Sequence, residues 1–392
     1  MNVKVRSLIL IAGLLLALSV PVSASASVAS PRVVRPSCGT AQPGYARCLA
    51  LRVLSGATAN AAADAGVPGW HPVDLQRAYR LDPRNGKGQT VAIVDAYDDP
   101  NAESDLAFYR SHFGLPPCTS ADGCFTKVNQ RGGTTLPVAN GGWAEEISLD
   151  LDMVSAICPR CNILLVEGDT GRATDLGTAV DTAVRLGATE VSNSYGYRGT
   201  PQGRQALSVH YDHPGVPITV SSGDNGYAVP DNEIPAAFET VTAVGGTSLF
   251  SAGNARGFRE TTWNGSGSNC SFYGHKPKWQ KDRGCAKRTV SDVAAVADPA
   301  TGVTVYDTFH GDPGFEVFGG TSVSSPIIAA VYALAGNGAK IDDASYAYSH
   351  SAALFDITHG SNGTCSPRYL CHARPGYDGP TGLGSPNGTG AF

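Results

Sequence analysis

The sequence predicts an α/β protein: a doubly wound, mostly parallel sheet with helices on both faces. Continuous apolar runs ending in a polar residue recur along the chain, as strands buried on both faces require. Segments of helical period separate these runs, so successive strands must cross over and lie parallel. The 47 glycines and 25 prolines provide the turns such an alternation needs.

The elements follow in chain order. Lys4 and Arg6 precede the apolar run Leu8 to Val20, and small residues follow through Ala24-Ser25-Ala26. This is the pattern of a signal peptide over residues 1–26. The run is too short for a comfortable membrane span, and no later segment is longer. The expected protein is secreted and takes no membrane partner. Residues 27–69 are rich in Ala, Ser, Pro and Gly with weak periodicity, and read as a short leader or N-terminal arm. Structured sequence begins at Trp70 and continues to residue 392.

Thr90 to Asp95 reads as the first buried strand. Ala102 to Phe113 reads as an amphipathic helix, Glu146 to Ile157 as a second helix, and Asn162 to Val166 as the next strand. Thr174 to Leu186 is a helix and Thr189 to Ser194 a strand. Gln202 to Tyr211 is helical in pattern, with Pro217 to Ser221 and Thr240 to Val244 as further strands. No repeat of solenoid period is visible.

With 392 residues the chain can bury a large core, in one extended domain or two. Net charge is −5 without a block of basic residues, which excludes nucleic acid as the main partner. The ten cysteines fall into local couples, Cys38 with Cys48, Cys118 with Cys124, Cys158 with Cys161, Cys270 with Cys285 and Cys365 with Cys371. In an exported chain each couple is expected to close a loop as a disulfide, although other pairings are combinatorially allowed. Cys158-Pro159-Arg160-Cys161 lacks the context of a redox or zinc motif and reads as a structural bond at a helix end.

Four polar residues stand out as a chemical set. Gly319-Gly320-Thr321-Ser322 runs into Val323 to Leu334, a glycine turn that delivers Ser322 to the first turn of a buried helix. Backbone N–H groups and the helix dipole there favour negative charge, as an acyl-transfer nucleophile needs. The plainer alternative is a Ser/Thr cap on a core helix. Glu146 and Asp150 lie four apart and share one helix face. Two carboxyls forced together share a proton and can act as a base at acidic pH, whereas a solvated acidic first turn would need no such role. Asp224, in Ser221-Ser222-Gly223-Asp224-Asn225-Gly226, follows an apolar strand. It is either an Asx turn or a neutral carboxyl able to donate to an oxyanion.

None of the nine histidines lies in a His-Gly-Thr type segment leading into a helix. Asp95, at the end of the first strand, therefore has no partner for a Ser-His-Asp triad. A Gly-x-Ser-x-Gly elbow is absent around Ser322. Ser248, in the decoy Gly246-Thr247-Ser248, is followed by no helix and is assigned no chemistry.

The ordered set Glu146-x-x-x-Asp150, Ser222-Gly223-Asp224 and Gly320-Thr321-Ser322-x-x-x-Pro326 resembles the sedolisin family of serine-carboxyl peptidases. These have a subtilisin-like fold with glutamate in place of histidine. The likeness extends from about residue 71 to 390. It implies Ser322 as nucleophile, Glu146 as base with Asp150 as its partner, and Asp224 as oxyanion-hole acid. It implies proteins or peptides as substrates, an acidic optimum and a monomer.

The C-terminal stretch Phe355 to Gly363, with Pro375-Gly376-Tyr377-Asp378 and Thr381 to Pro386, is similar to the family's calcium loop. That resemblance implies one structural Ca²⁺ held by Asp356, Asp378 and the carbonyls of Ile357, Arg374 and Gly376, an all-oxygen set suited to a hard cation. The family carries a large folded prodomain, whereas only about 45 residues separate the expected signal peptide from the domain here. A secreted binding protein on the same fold, or an esterase using Ser322, remains an alternative reading.

Overall fold

The structure is a computed structural model that describes residues 1, 33–55, 66–198, 201–228, 233–272, 275–310 and 313–392, with backbone alone at 201–204 and 233. Apart from Met1, the predicted signal peptide lies outside the described residues. The chain begins with strands β1 (Val33–Pro36), β2 (Arg47–Cys48) and β3 (Leu51–Ser55), so part of the expected arm is extended and paired. Helix α1 (Pro72–Ala78), β4 (Thr90–Ala96), α2 (Ala102–His112) and β5 (Phe125–Asn129) follow. Next come α3 (Gly141–Ile157), β6 (Asn162–Gly168), α4 (Ala173–Arg185), β7 (Glu190–Asn193) and β8 (Tyr195–Arg198). The middle of the chain forms α5 (Pro201–Ser208), β9 (Ile218–Ser221), β10 (Glu233–Ile234), β11 (Thr242–Ser251) and β12 (Phe258–Thr262). The last third forms β13 (Asn269–Cys270), β14 (Thr289–Val290), β15 (Val293–Val296), β16 (Val303–Asp307), β17 (Gly314–Gly319) and α6 (Thr321–Ala335).

The central sheet has the order β12-β11-β9-β7-β4-β6-β5, and β15 also pairs with β11. Its pairings are parallel except for β11 with β12. Alternation along β4 explains why two layers cover it. Val91 and Ile93 join the core that holds α1, α2, α3 and α6, while Ala92 and Val94 face the core that holds α4. This is the architecture expected of apolar strands separated by helices. Strand order reverses at β4, between β6 and β7, so a crevice opens beyond the carboxyl ends of β4 and β7.

Three element boundaries differ most from expectation, and the first is that the helix expected from Glu146 begins at Gly141. The strand expected at Thr240–Val244 continues to Ser251, because beyond its parallel partner β9 it pairs with β12 from Thr247 to Ser251. Within the longer strand Gly246 is a packing requirement. A Cβ on Gly246 would lie 2.6 Å from that of Ala297 and 2.8 Å from the Trp263 ring. Ser248 is thus a strand residue whose hydroxyl donates to Asp298 at 2.6 Å. The helix expected at Gln202–Tyr211 is α over Pro201–Ser208 and a 3₁₀ turn over Val209–Tyr211.

All five local disulfides are formed. Cys158 is the C-cap of α3, and its bond to Cys161 sits at a helix end as expected. Among the described residues no helix is long and apolar enough to cross a membrane.

Candidate active site

Gly320 is the N-cap of α6 at φ +94°, a left-handed conformation that favours glycine. A side chain there would also collide with the Leu49 carbonyl oxygen and crowd Asp224 Oδ2. The turn therefore leaves Ser322 in the first turn of α6, where the leading N–H groups lack intrahelical acceptors. Pro326 has no N–H to offer the Ser322 carbonyl four residues back, and the Ser194 hydroxyl stands 3.4 Å from that oxygen. The Ser322 hydroxyl donates to the Ser194 carbonyl at 3.3 Å.

Helix α3 begins at Asn140, whose side chain accepts from Gly142 N at 3.1 Å and Trp143 N at 3.2 Å. Its helical register turns Glu146 and Asp150 to one face, and both are fully buried. The adjacent Glu145 has a different setting, paired with Arg35 at 2.6 Å and Arg52 at 3.2 Å. Among the described residues Glu146 has no basic partner. Its Oε2 accepts from Ala50 N at 2.8 Å, its Oε1 is buried without a hydrogen bond, and the nearby Ser322 hydroxyl favours its charged form. Asp150 accepts from Ser194 Oγ at 2.8 Å.

Burial pushes Glu146 well above the ordinary carboxyl range, and the neighbouring Asp150 adds to the effect. Asp150 is raised by burial and then by Asp95. Asp95 is raised by burial and then by Glu146 and Glu167. The buried group at the end of β4 is thus a third member of one carboxyl cluster, which must hold protons where isolated carboxyls would have lost them. No histidine hydrogen-bonds to Ser322, Glu146 or Asp150 among the described residues. A histidine triad is not assembled there.

Asp224 follows β9 and meets α6 from the other side. Its Oδ1 accepts from Thr321 N at 2.8 Å and Thr321 Oγ1 at 2.9 Å, which ties the carboxyl to the residue before the nucleophile. Ser221 Oγ donates to the Thr321 carbonyl at 2.8 Å and fixes the same turn. Four residues separated by up to 176 positions in the sequence, Glu146 to Ser322, converge on one crevice. The arrangement suits a serine nucleophile, a carboxyl base and a carboxyl beside the developing oxyanion.

Sequence reasoning missed Ser194, Asp95 as a cluster member, and the arm residues Leu49 and Ala50. Only the small polar run Ser192-Asn193-Ser194 at the end of an apolar strand hinted at the first.

Of the residues expected at a cation site, Asp356 meets Gly376 and Asp378 meets Arg374. Asp356 Oδ2 accepts from Gly376 N at 2.9 Å, and Asp378 Oδ2 accepts from Arg374 N at 3.1 Å. Asp378 Oδ1 also accepts from Thr381 N and Oγ1, each at 2.9 Å. Both carboxylates thus address one loop that carries the carbonyls of Arg374 and Gly376, and the all-oxygen donor set fits Ca²⁺. Among the described residues no cluster of three or more His, Cys, Asp or Glu side chains could hold a metal, so such a site would rest on two carboxylates and backbone oxygens.

A model of the Subtilase family matches residues 133–354. The chain is 30% identical to kumamolisin of Bacillus sp. (strain MN-32) over 360 residues, covering 81% of this chain and 62% of that protein. It is 30% identical to sedolisin of Pseudomonas sp. (strain 101) over 217 residues, covering 48% of this chain and 36% of that one. The chain thus spans less than two thirds of the length of these relatives. Among solved structures, Pseudomonas sedolisin, a serine-carboxyl proteinase complexed with two molecules of pseudo-iodotyrostatin, shares the fold. It superposes with a TM-score of 0.68 at 24% identity, over 82% of this chain and 96% of that one.

Proposed function

The chain belongs to the subtilase family, and from that premise we propose that it is a secreted serine-carboxyl peptidase of the sedolisin branch that hydrolyses proteins or peptides at acidic pH. The observation that carries this reading is Glu146, a buried carboxyl without a basic partner beside the Ser322 hydroxyl. Secretion is supported by the basic-then-apolar N-terminus and by five disulfides, which persist in oxidising compartments. We take the working form to be a monomer.

In the proposed mechanism Ser322 Oγ attacks the substrate carbonyl while Glu146 takes its proton. The tetrahedral oxygen is held by the Ser322 N–H and by Asp224, protonated in acid and turned to donate. Glu146 returns the proton to the leaving amine, and water repeats the sequence on the ester. Asp150 and Asp95 position and charge-tune Glu146. One proton shared by the Glu146–Asp150 pair leaves one carboxylate to act as base at acidic pH, as like charges at short range demand.

Cleavage of denatured protein, measured from about pH 3 to 8 beside Ser322→Ala, tests the reading. The expected result is an acid-peaked rate that disappears in the variant. A neutral or alkaline peak would remove the serine-carboxyl mechanism. No Ser322-dependent cleavage would leave a secreted binding protein on this fold.

We further propose that Asp356, Asp378 and the carbonyls of Ile357, Arg374 and Gly376 hold a structural Ca²⁺. When bound, the ion would neutralise the two carboxylates and pin the loop to the body of the domain. Chelation is then expected to lower the thermal midpoint, and added Ca²⁺ to restore it. An unchanged midpoint counts against the site.

A further inference from the structure

One segment departs from the acidic balance of the chain. Residues 275–288, between β13 and β14, hold six of its 29 lysines and arginines but only one of its 34 acids, a local charge of +5 in a chain of net −5. Only Lys287 and Arg288 are adjacent, so no basic run marks the segment in the sequence. The fold sorts these groups by direction. Lys276 pairs with Asp282 at 2.7 Å, and Arg288 is fully buried against Asp292. Lys278, Lys281 and Arg283 are exposed. Arg368, also exposed, joins them from a neighbouring loop. Gly284, which follows Arg283, packs against Pro367, which precedes Arg368. A Cβ on Gly284 would lie 2.4 Å from Pro367 Cγ and 2.4 Å from the Tyr369 ring.

The single acid does not neutralise the outward cations. The Asp282 side chain is 6% exposed, and besides Lys276 it accepts from Thr289 Oγ1 at 2.9 Å and from Tyr369 OH. Asp343, which also meets the loop, accepts from Trp279 Nε1 at 2.9 Å and Ser345 N at 2.8 Å. Among the described residues Lys278, Lys281, Arg283 and Arg368 form no ion pair. The framework beneath them is fixed. The disulfides Cys270–Cys285 and Cys365–Cys371 close the two loops. Gln280 is buried and exchanges two 2.7 Å hydrogen bonds with the Thr289 backbone, and the Trp279 ring lies 4.5 Å from that of Tyr348. Like charges kept on one face repel. A merely solvated face would gain nothing from a rigid support that holds them together. The arrangement suits a partner that supplies several anions at once.

We propose that Lys278, Lys281, Arg283 and Arg368 form a docking surface for an anionic glycan whose charges are sulfate or phosphate esters. The choice of anion rests on the acidic peptidase reading above. Near pH 4 the carboxylates of an acidic protein are about half protonated, whereas sulfate and phosphate esters keep charge. Guanidinium groups donate to such oxygens in pairs, and lysines attract them as point charges. Export, expected from the N-terminus, brings the chain to surface and matrix glycans instead of nucleic acid. The surface lies beside the crevice. The segment that leads into the loop is bonded to the Asp224 turn, Gly267 N to the Gly223 carbonyl at 2.7 Å and Ala228 N to the Ser268 carbonyl at 3.1 Å. A bound glycan therefore holds the enzyme at a surface without occupying the nucleophile.

The test is titration calorimetry of full-length Ser322→Ala with dextran sulfate and with phosphomannan at about pH 4, beside neutral dextran, polyglutamate and single-stranded DNA. Binding to either ester polymer is expected, which names the ester, with affinity that falls steeply as salt rises. Neutral dextran should not bind. Lys278→Ala with Arg283→Ala and Arg368→Ala, which spans both loops, should bind roughly 100-fold less tightly. Lys87→Ala with Arg160→Ala and Lys340→Ala removes the same charge from exposed positions elsewhere and should bind within about threefold of Ser322→Ala. Unchanged circular dichroism in both triple variants keeps misfolding out of the comparison. Equal losses in the two triples would mean a response to net charge alone and overturn the surface. So would binding to neither ester polymer, or tighter binding to DNA or polyglutamate than to both. The measurement needs no turnover, so a negative result leaves the peptidase reading standing, and the cleavage assay decides that reading separately.

Discussion

Glu146→Gln is expected to abolish turnover of protein substrates, by on the order of 10⁴- to 10⁶-fold in kcat, as loss of the base does in serine peptidases. Glutamine fills the same volume and can still accept from Ala50 N, which Glu146 Oε2 now does at 2.8 Å. What it loses is the capacity to take the Ser322 proton. The defect should therefore persist from pH 3 to 8 without a shifted optimum, because no other group at that position titrates. Asp224→Ala removes one oxyanion donor, for which losses of about 100- to 1,000-fold are typical. The two variants thus separate base from oxyanion donor. Glu146→Gln activity within tenfold of wild type would eliminate Glu146 as the base, whatever Ser322 does.

The second large effect is on stability. The thermal midpoint is expected to be highest near pH 4 and to fall as pH rises towards 9. Burial, as the leading cause, raises Asp307 to about 6, Asp99 to about 7, Glu190 to about 8 and Glu167 to about 9. Burial also pushes Asp95, Glu146, Asp150 and Asp152 well upward. In the unfolded chain these carboxyls titrate near 4. A group whose folded value is raised binds its proton more tightly in the native state. Its contribution is complete below about pH 4, falls as pH rises above that, and is fully lost once pH passes the folded value, by about 6 for Asp307 and about 9 for Glu167. Asp82 is lowered to about 2 through Arg84, but it is fully exposed and offsets little. A net loss of several kcal/mol corresponds to roughly 10 °C or more in the midpoint. Calorimetry of Ser322→Ala at pH 4, 6 and 8 avoids self-digestion, and a midpoint that rises over that range would refute the account.

Both predictions depend on a cluster only partly legible in the chain. The α3 register places Glu146 and Asp150 on one face, and their four-residue interval is enough to predict it. The Gly-Thr-Ser turn is legible too, because Gly320 must adopt positive φ and an apolar helix follows it. Asp95 stands at a strand end in the sequence, yet its entry into the cluster needs β4 to lie beside α3 in space. Ser194 carries no local motif, and its hydroxyl and carbonyl acquire roles only because β7 ends opposite the start of α6. The end of β11 is hidden for a related reason. Gly245 and Gly246 weaken a strand locally, but close packing by Trp263 and Ala297 requires glycine at 246.

By itself the sequence determined the alternation of strands and helices, the cysteine couples, the serine turn and the acidic pair. Each is written in residues a few positions apart, where periodicity and turn chemistry act directly. Only the tertiary structure decided that the arm pairs with β8 and β17 and that Leu49–Ala50 lies against Glu146, Ser194 and Gly320. Those contacts span about 96 and 270 positions, and weakly periodic sequence carries no signal for them. Their strength comes from edge pairing with β8 and β17, which offer backbone hydrogen bonds to an extended chain and so leave little trace in side-chain pattern.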